Sequence, residues 1–286
     1  MIAPWPYLCH GFAPWDTPAM SDDEPDLSLR DAEYVGRFMP LLRFATRYYF
    51  RSEVRDVERI PGEGGALVVS NHSGGLIAMD VPVIAVAYFD HYGMDAPLYV
   101  LAHDMLWLDR KTGEVFDKVG FLKATRKNAH AVLAGGGTTI VFPGGDYDVF
   151  RPTKLATKID FNGRTGYVRT ALEANVPLVP VVTIGGQEQM YVLWRGEFLA
   201  KLLRLEKLLR TKYMPVAFGF PFGLTFAFPP NLPLPSKLVT QVLEPIDIRA
   251  EFGEEPDIAE VDAEVRRRMQ DAIDELAAQR RFPVIG

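Results

Sequence analysis

Apolar and polar positions along this chain follow two periods. Five short runs of apolar, largely β-favouring residues, each bounded by glycine, proline or polar residues, predict strands. Helical segments lie between these runs, and the first of these segments begins with a polar loop. The predicted strands are residues 66–71, 96–103, 120–125, 138–145 and 177–186, and the predicted helical segments are 72–93, 126–137 and 161–176. This alternation predicts an α/β fold with a mixed, mainly parallel central sheet flanked by helices.

A basic amphipathic helix precedes this alternation. Between residues 34 and 54, apolar residues recur at three- and four-residue intervals, with arginines interleaved. The apolar positions are Phe38, Leu41, Leu42, Ala45, Tyr48 and Tyr49, and the basic ones are Arg37, Arg43, Arg47 and Arg51. The pattern fits a surface helix packed on the core and equally fits a helix that lies on anionic lipid.

A second basic segment, residues 195–212, combines leucines with Lys and Arg and predicts another helix. It leads into residues 213–236, a Phe-rich run that contains six prolines. Proline at this density cannot sustain a membrane-spanning helix, because a bilayer offers no partners for the freed carbonyls. Together with the N-terminal helix, these segments suit a membrane-docking face, although the same Leu and Phe residues would also suit a core or a dimer interface.

The domain organisation follows from length and local composition. Residues 1–30 are rich in Pro, Trp and acids and predict an irregular arm. We expect residues 31–286 to form a single catalytic domain that ends in a polar helix over residues 254–281. A short strand is also predicted at 54–61, and another strand at 237–248.

Composition narrows the classes of function. The net charge of −6 and the pI near 5.5 argue against a nucleic-acid partner, which would require a basic field. The one cysteine, Cys9, allows no internal disulfide and lies far from any histidine motif, so a reducing compartment is the default. The N-terminus lacks the basic and apolar regions of a secretory signal. We therefore expect a peripheral protein at the cytoplasmic face of a membrane.

The most informative residue is His72, which stands in a polar loop directly after the predicted strand 66–71. Gly74 and Gly75 follow and allow close approach of a substrate or of backbone. Asp80 lies downstream, and a carboxylate on one imidazole nitrogen raises the basicity of the other. The sequence has no Gly-x-Ser-x-Gly elbow and no zinc-ligand spacing. A histidine base without a protein nucleophile suits direct attack by a substrate hydroxyl on an activated acyl group.

Four sequence blocks occur in a fixed order: SNHSGG followed by Asp80, GFLKATR, VFPGGDYD and VPLVPVV. Over roughly residues 35–250 this arrangement resembles the glycerolipid acyltransferase superfamily, whose members acylate glycerol phosphate, lysophospholipids and, in some branches, diacylglycerol. The form VFPGGDYDVFRP resembles the branch near the diacylglycerol and phytyl-ester acyltransferases. The blocks follow predicted strands, so we expect them to open onto one edge of the sheet.

The resemblance implies roles for individual residues. His72 matches the catalytic base, and Asp80 is its candidate partner. Arg126 matches the arginine that binds the polar head of the acceptor. The acceptor-binding turn matches Phe142, Pro143, Gly144, Gly145 and Asp146, and the loop around the base comprises Asn71, Ser73, Gly74 and Gly75. Pro177 and Pro180 fall in the fourth block, which is assigned to donor binding or packing.

Two departures from the family pattern affect these assignments. Asp80 follows His72 by eight residues, whereas the family places its Asp five residues after the His, so Asp146 and Asp148 stay open as rival partners. Gly145 stands where phosphate-using members carry a Glu, which favours another acceptor, although Asp146 could replace that Glu.

The sequence therefore predicts transfer of a fatty acyl group from acyl-CoA or acyl carrier protein to a hydroxyl of a glycerolipid or lysophospholipid. No metal and no prosthetic cofactor is expected, and the oligomeric state, the acyl chain and the acceptor stay open. Backbone amides near Gly144 and Gly145 are candidates for stabilising the oxyanion. Two alternatives are a lipid esterase or thioesterase that uses the same histidine on water, and a catalytically silent membrane lipid-binding protein.

Overall fold

The computed structural model describes residues 25–75, 77–209, 211–226, 229–282 and 284–285. Most of the predicted arm, residues 1–30, lies outside the described residues. The described part contains ten strands and ten α-helices. The strands are β1 (Glu53–Arg55), β2 (Ala66–Ser70), β3 (Leu98–Ala102), β4 (Phe121–Lys123), β5 (Thr138–Val141), β6 (Leu178–Ile184), β7 (Tyr191–Trp194), β8 (Val216–Gly219), β9 (Gly223–Phe226) and β10 (Val239–Val242).

The helices connect and cover these strands. They are α1 (Ala32–Phe44), α2 (Asp80–Tyr92), α3 (Arg110–Lys118), α4 (Arg126–Ala134), α5 (Gly145–Val149), α6 (Gly166–Ala174), α7 (Glu197–Leu202), α8 (Leu205–Leu209), α9 (Ile248–Phe252) and α10 (Ile258–Gln279). A single π-helical turn, Ala45–Tyr49, extends α1.

Seven strands form the main sheet in the order β1-β10-β6-β2-β5-β3-β4. The five strands from β6 to β4 are mutually parallel. β10 runs antiparallel to β6, and β1 pairs with β10 in parallel, which makes the sheet mixed. The predicted fold class is confirmed, and the five central strands are those predicted from the apolar runs.

The core lies on both faces of this sheet. Successive residues of β2 point to opposite faces, so Leu67 and Val69 pack with α4, α6 and α10, while Ala66 and Val68 pack with α1 and α2. β2 and β6 are buried at every position. Such continuous burial is what a parallel sheet covered on both faces requires.

The N-terminal helix buries residues that the apolar periodicity did not select. Val35, Met39 and Thr46 face the core, whereas Leu41 and Phe44 are exposed. The helix itself is confirmed, and Leu42 of its predicted apolar stripe packs on the core, whereas Phe38, Leu41, Tyr48 and Tyr49 are exposed.

Two local predictions differ from the structure, and one segment forms strands that were not predicted. The strand predicted at 54–61 stops at Arg55, because Asp56 adopts a left-handed conformation and a 3-10 turn follows. The basic helix predicted at 195–212 is divided into α7 and α8 at Arg204, which has φ of 54°. Residues 213–236, for which only helix was excluded, contribute the hairpin β8–β9, which joins β7 in a separate three-stranded antiparallel sheet.

Candidate active site

The carboxyl ends of the five parallel strands meet at one edge of the main sheet. His72 follows β2, the Pro143–Gly145 turn follows β5, Arg126 follows β4 and Gly185 follows β6. The topology therefore brings the first three blocks to the same edge, where ligands of open α/β sheets bind, whereas the fourth block is strand β6 itself.

At this edge the imidazole of His72 is paired with Asp80. The Nδ1 atom of His72 lies 2.9 Å from Oδ2 of Asp80, and that oxygen also accepts the backbone N–H of Ser73 at 2.8 Å. Asp80 is buried as the first residue of α2, while the His72 side chain is 19% exposed. A proton on Nδ1 that is donated to the carboxylate leaves Nε2 as the acceptor nitrogen, which is the tautomer a base needs.

A second carboxylate holds the backbone of the same residue. The N–H of His72 donates to Oδ2 of Asp148 at 2.6 Å. Arg151, fully buried three residues further on, pairs with Asp148 at 2.8 Å and reaches the carbonyl of His72 at 3.4 Å. Burial raises the pKa of the Asp148 carboxyl despite this ion pair. Asp148 and Arg151 thus clamp both backbone polar groups of His72.

The ring of His72 is also fixed by packing. Phe142 stacks on it with centroids 4.2 Å apart and planes inclined by 30°. Burial opposes protonation of His72, but the carboxylate of Asp80, helped by that of Asp148, outweighs burial and raises the pKa of His72 above its usual value. Phe142, predicted to bind substrate, is buried and stacks on His72, where it fixes the orientation of the ring.

The two glycines of the loop allow the protein's own chain to approach. Gly74 and Gly75 have φ of 96° and 73°, values that favour glycine. A Cβ on Gly75 would collide with Met190, and one on Gly74 would come within 2.9 Å of Oε1 of Gln189. The positive φ values turn the chain between His72 and Asp80, which lets a carboxylate eight residues away reach the ring.

Asn71 fastens the start of the loop to β6. Its side chain accepts the N–H of Thr183 at 2.8 Å and donates to the carbonyl of Thr183 at 2.9 Å. Both residues are buried. Ser73 is buried as well, and its role here is the N–H that it gives to Asp80.

The turn after β5 is held by Arg164. Its guanidinium donates to the carbonyls of Pro143 and Gly144 at 3.2 and 2.7 Å and pairs with Asp146 at 3.0 Å. Asp146 is therefore paired with Arg164 and not with His72. The N–H of Gly145 donates to the carbonyl of Phe142 at 2.9 Å, so this amide, which was expected to be a candidate oxyanion donor, is already used.

Arg126 is at the same edge but is not beside His72. It is the half-buried first residue of α4, directly after β4. β4 lies three strand spacings from β2 in the sheet order, or about 14 Å. Pro177 and Pro180 serve packing in the structure: the carbonyl of Pro177 accepts the N–H of Leu67, and Pro180 pairs with Val69 within the sheet.

Arg151 and Arg164 were not selected by the sequence reasoning. The i,i+3 spacing of Asp148 and Arg151 is a signal that could have pointed to the first pair. Arg164 has no local signal, because it stands 18 residues from the carboxylate that it binds.

The fold and the His72–Asp80 pair at the carboxyl edge of the sheet define an acyltransferase-type α/β protein. A family model described as Acyltransferase matches residues 51–184, the segment that contains all four blocks. The chain belongs to the glycerolipid acyltransferase superfamily.

Relatives of this chain occur in mycobacteria and in mammals. An uncharacterized protein of Mycobacterium tuberculosis is 35% identical over 251 residues, which is 86% of this chain and 67% of that protein. A Mycobacterium leprae protein, also uncharacterized, is 34% identical over 252 residues, covering 86% of this chain and 66% of the relative. The DGAT1/2-independent enzyme synthesizing storage lipids from Bos taurus is 25% identical over 192 residues, 67% of this chain and 55% of that enzyme.

The fold is similar to that of a solved structure. The 1-acyl-sn-glycerophosphate (LPA) acyltransferase PlsC from Thermotoga maritima superposes with a TM-score of 0.54 at 20% identity, covering 88% of this chain and 80% of that one. This likeness concerns the fold. Among the described helices, none combines the length and the apolar character needed to cross a bilayer.

Proposed function

We propose that this protein transfers a fatty acyl group from a thioester donor to the hydroxyl of a lipid, with His72 as the general base. The observation that carries this proposal is the contact between Nδ1 of His72 and the buried Asp80, which leaves Nε2 as the nitrogen that can accept a proton. Nε2 takes the proton of the acceptor hydroxyl as the oxygen attacks the thioester carbonyl. When the tetrahedral intermediate collapses, the C–S bond breaks and the imidazolium returns the proton to the leaving thiolate.

The electrostatics of the pair suit this cycle. The Asp80 carboxylate stabilises the imidazolium that forms during attack, which is the effect that raises the pKa of His72. Phe142 and the clamp of Asp148 and Arg151 keep ring and backbone in place, so little reorganisation is needed in the reaction. The donor is acyl-CoA or acyl carrier protein, and the chemistry needs no metal or prosthetic group.

The acceptor is a glycerolipid or lysophospholipid hydroxyl, and two observations favour an acceptor without a phosphate at the site. Gly145 stands where phosphate-using members have Glu, and Asp146 is neutralised by Arg164. The bovine relative is named for synthesizing storage lipids, which agrees with a neutral glyceride. Arg126 follows β4, whose axis lies about 14 Å from that of β2, so we expect it to contact the polar head of an extended acceptor. Such substrates place the enzyme peripherally on the cytoplasmic face of a membrane.

Product analysis tests this function. The purified chain is incubated with acyl-CoA or acyl carrier protein and a panel of lysophospholipids, mono- and diacylglycerols and long-chain alcohols, and products are identified by mass spectrometry. We expect a new lipid ester whose formation depends on the acceptor. Free fatty acid at the same rate with and without acceptor would instead identify a hydrolase, and no turnover with any acceptor would favour a lipid-binding protein.

A further inference from the structure

The small sheet β7–β8–β9 is apolar on both faces. Its strand pairs place side chains in rows across the three strands, and successive rows point to opposite faces. The row of Val192, Ala217 and Thr225 is buried against the protein. The rows on the other side form what we call the aromatic face, which comprises Tyr191, Trp194, Phe218, Leu224 and Phe226.

The aromatic face is open to the surroundings. Its five side chains are 43–57% exposed, and Phe220 and Phe222 in the hairpin turn are exposed beside it. An antiparallel sheet that packs one face on a protein ordinarily carries polar residues on its other face. A contiguous exposed apolar surface of this kind marks an interaction site.

Positive charge is concentrated in the two segments near this surface. Residues 37–51 contain four arginines and no acidic residue, and residues 197–212 contain five basic and two acidic residues, in a chain whose net charge is −6. Arg37 and Arg43 of the first segment form ion pairs with Glu33 and Asp90. The second segment continues directly from β7 into α7 and α8. Residues 37–51 contact the part of the chain that follows β9, because the hydroxyl of Tyr49 donates to the carbonyl of Pro233 at 2.9 Å.

The small sheet is attached to the catalytic edge. Arg195, next to the end of β7, donates from Nε to the carbonyl of Tyr147 at 2.9 Å, and its guanidinium lies 3.7 Å from the centre of the Tyr147 ring. Tyr147 stands in α5 between Asp146 and Asp148. On the other side of β7, Met190 packs against Gly75 of the His72 loop. The small sheet that carries the aromatic face is therefore fixed to both α5 and the His72 loop.

We propose that the aromatic face docks this protein on an anionic phospholipid bilayer. The inference rests on the proposed function, because a lipid acceptor has to reach His72 from a membrane. Aromatic side chains favour the headgroup region, and basic residues near the surface add about 1 kcal/mol each on anionic lipid. A second copy of the chain is a poorer occupant, since face-to-face pairing would bring the same basic segments of two copies together.

Flotation with vesicles tests the docking. The full chain is mixed with vesicles of phosphatidylcholine alone or phosphatidylcholine with phosphatidylglycerol, and a variant carries Phe218→Thr, Leu224→Thr and Phe226→Thr. Threonine keeps the strands favourable while it removes the apolar surface. The matched control carries Leu29→Thr, Leu108→Thr and Val115→Thr, three exposed apolar residues around α3. Circular dichroism verifies that both variants are folded.

We expect the wild type and the control to float with the anionic vesicles, less so in high salt, and the triple variant to bind at least about tenfold more weakly. Equal binding by the triple variant would overturn the proposal. So would a wild-type dimer, measured by analytical ultracentrifugation, that the triple variant converts to monomer while vesicles capture neither protein.

A soluble assay separates this inference from the proposed function. With a water-soluble short-chain acceptor, the triple variant should transfer acyl groups as fast as the wild type, and only its activity on vesicle-borne acceptor should fall. Vesicle binding lost in the triple variant, with no transfer by the wild type to any acceptor, would uphold docking and refute the enzymatic proposal. Equal loss of both activities in the folded triple variant would overturn the docking role.

Discussion

At the scale of single residues, two carboxylates act on different parts of His72. Asp80 contacts the ring nitrogen Nδ1, whereas Asp148 accepts the backbone N–H. Both charges favour the imidazolium and contribute to the raised pKa of His72. Only Asp80 also selects the tautomer, so the two carboxylates can be separated by experiment.

Asp80→Asn should change the dependence of kcat/KM on pH. The base must be neutral to accept a proton, so activity falls as pH drops through the pKa of His72, which is raised in the wild type. Removing the Asp80 charge lowers that pKa and moves the acid limb to lower pH. The plateau should fall by roughly 10²–10⁴-fold, the usual contribution of general acid–base catalysis.

Asp148→Asn is the matched comparison for this profile. This substitution also removes a negative charge near the ring, so the acid limb of the kcat/KM profile should shift to lower pH. Because the contact between Nδ1 and Asp80 stays, the plateau value of kcat/KM should fall much less than in Asp80→Asn. An acid limb that stays in place in Asp80→Asn would contradict the assignment of His72 as the base.

The sequence pattern at this scale selects His72 but leaves its carboxylate partner open. The eight-residue spacing to Asp80 can be judged only once the φ values of Gly74 and Gly75 are known, because they turn the loop back on itself. Asp146 was a reasonable rival by position, yet it is taken by Arg164, a partner that only the tertiary fold supplies.

At the scale of elements, the His72 loop depends on its attachments to β6 and α5. Asn71→Ala would leave the buried N–H and carbonyl of Thr183 without their side-chain partner. An unsatisfied buried polar group costs about 1–3 kcal/mol, so we expect the free energy of unfolding to fall by about 2–5 kcal/mol in denaturant titrations. Thr240→Val, which removes only the hydroxyl contact with Thr183, should cost roughly 1 kcal/mol. Equal losses would show that Asn71 does not fasten the loop.

Gly144→Ala tests the attachment to α5. The added methyl group would collide with Cβ of Asp148 and displace the carboxylate that accepts the N–H of His72. We expect kcat to fall by at least about tenfold, because a misplacement of about 1 Å can cost 10²-fold in rate.

Gly36→Ala is the control for this substitution. Gly36 lies in α1 with open space around its Cα, so alanine there should leave kcat unchanged and stabilise the fold by about 0.5–1 kcal/mol. Unchanged kcat in Gly144→Ala would show that the position of Asp148 does not matter for turnover.

The elements that sequence patterns predicted best are those buried on both faces. β2 and β6 are continuous apolar runs, and such runs cannot be placed elsewhere than in a covered sheet. The small sheet was missed because its outer rows are as apolar as its inner row, so no polar alternation reveals strands. The long basic helix was divided at Arg204, whose left-handed backbone the leucine pattern does not show.

At the scale of the whole molecule, the small sheet that carries the aromatic face is attached to the catalytic edge of the main sheet. The negative net charge of the chain conceals two basic segments, and these lie where the apolar surface is exposed. Composition alone argues against a nucleic-acid partner but does not locate this charge, because the grouping depends on how β7–β9 and α1 fold together.

Direct acyl transfer with His72 as the general base is tested by comparing two histidine variants with an isotope-labelled donor. Acyl thioester carrying ¹³C in its acyl group is incubated with the accepted lipid in ¹⁸O-water, with wild type, His72→Ala and His130→Ala; His130 is exposed on α4. We expect a ¹³C lipid ester free of solvent ¹⁸O from the wild type and from His130→Ala. In the folded His72→Ala variant this ester should decrease by roughly 10²–10⁴-fold. Ester formation by His72→Ala at the wild-type rate, or ¹³C fatty acid labelled with ¹⁸O as the main wild-type product, would contradict direct acyl transfer with His72 as the base.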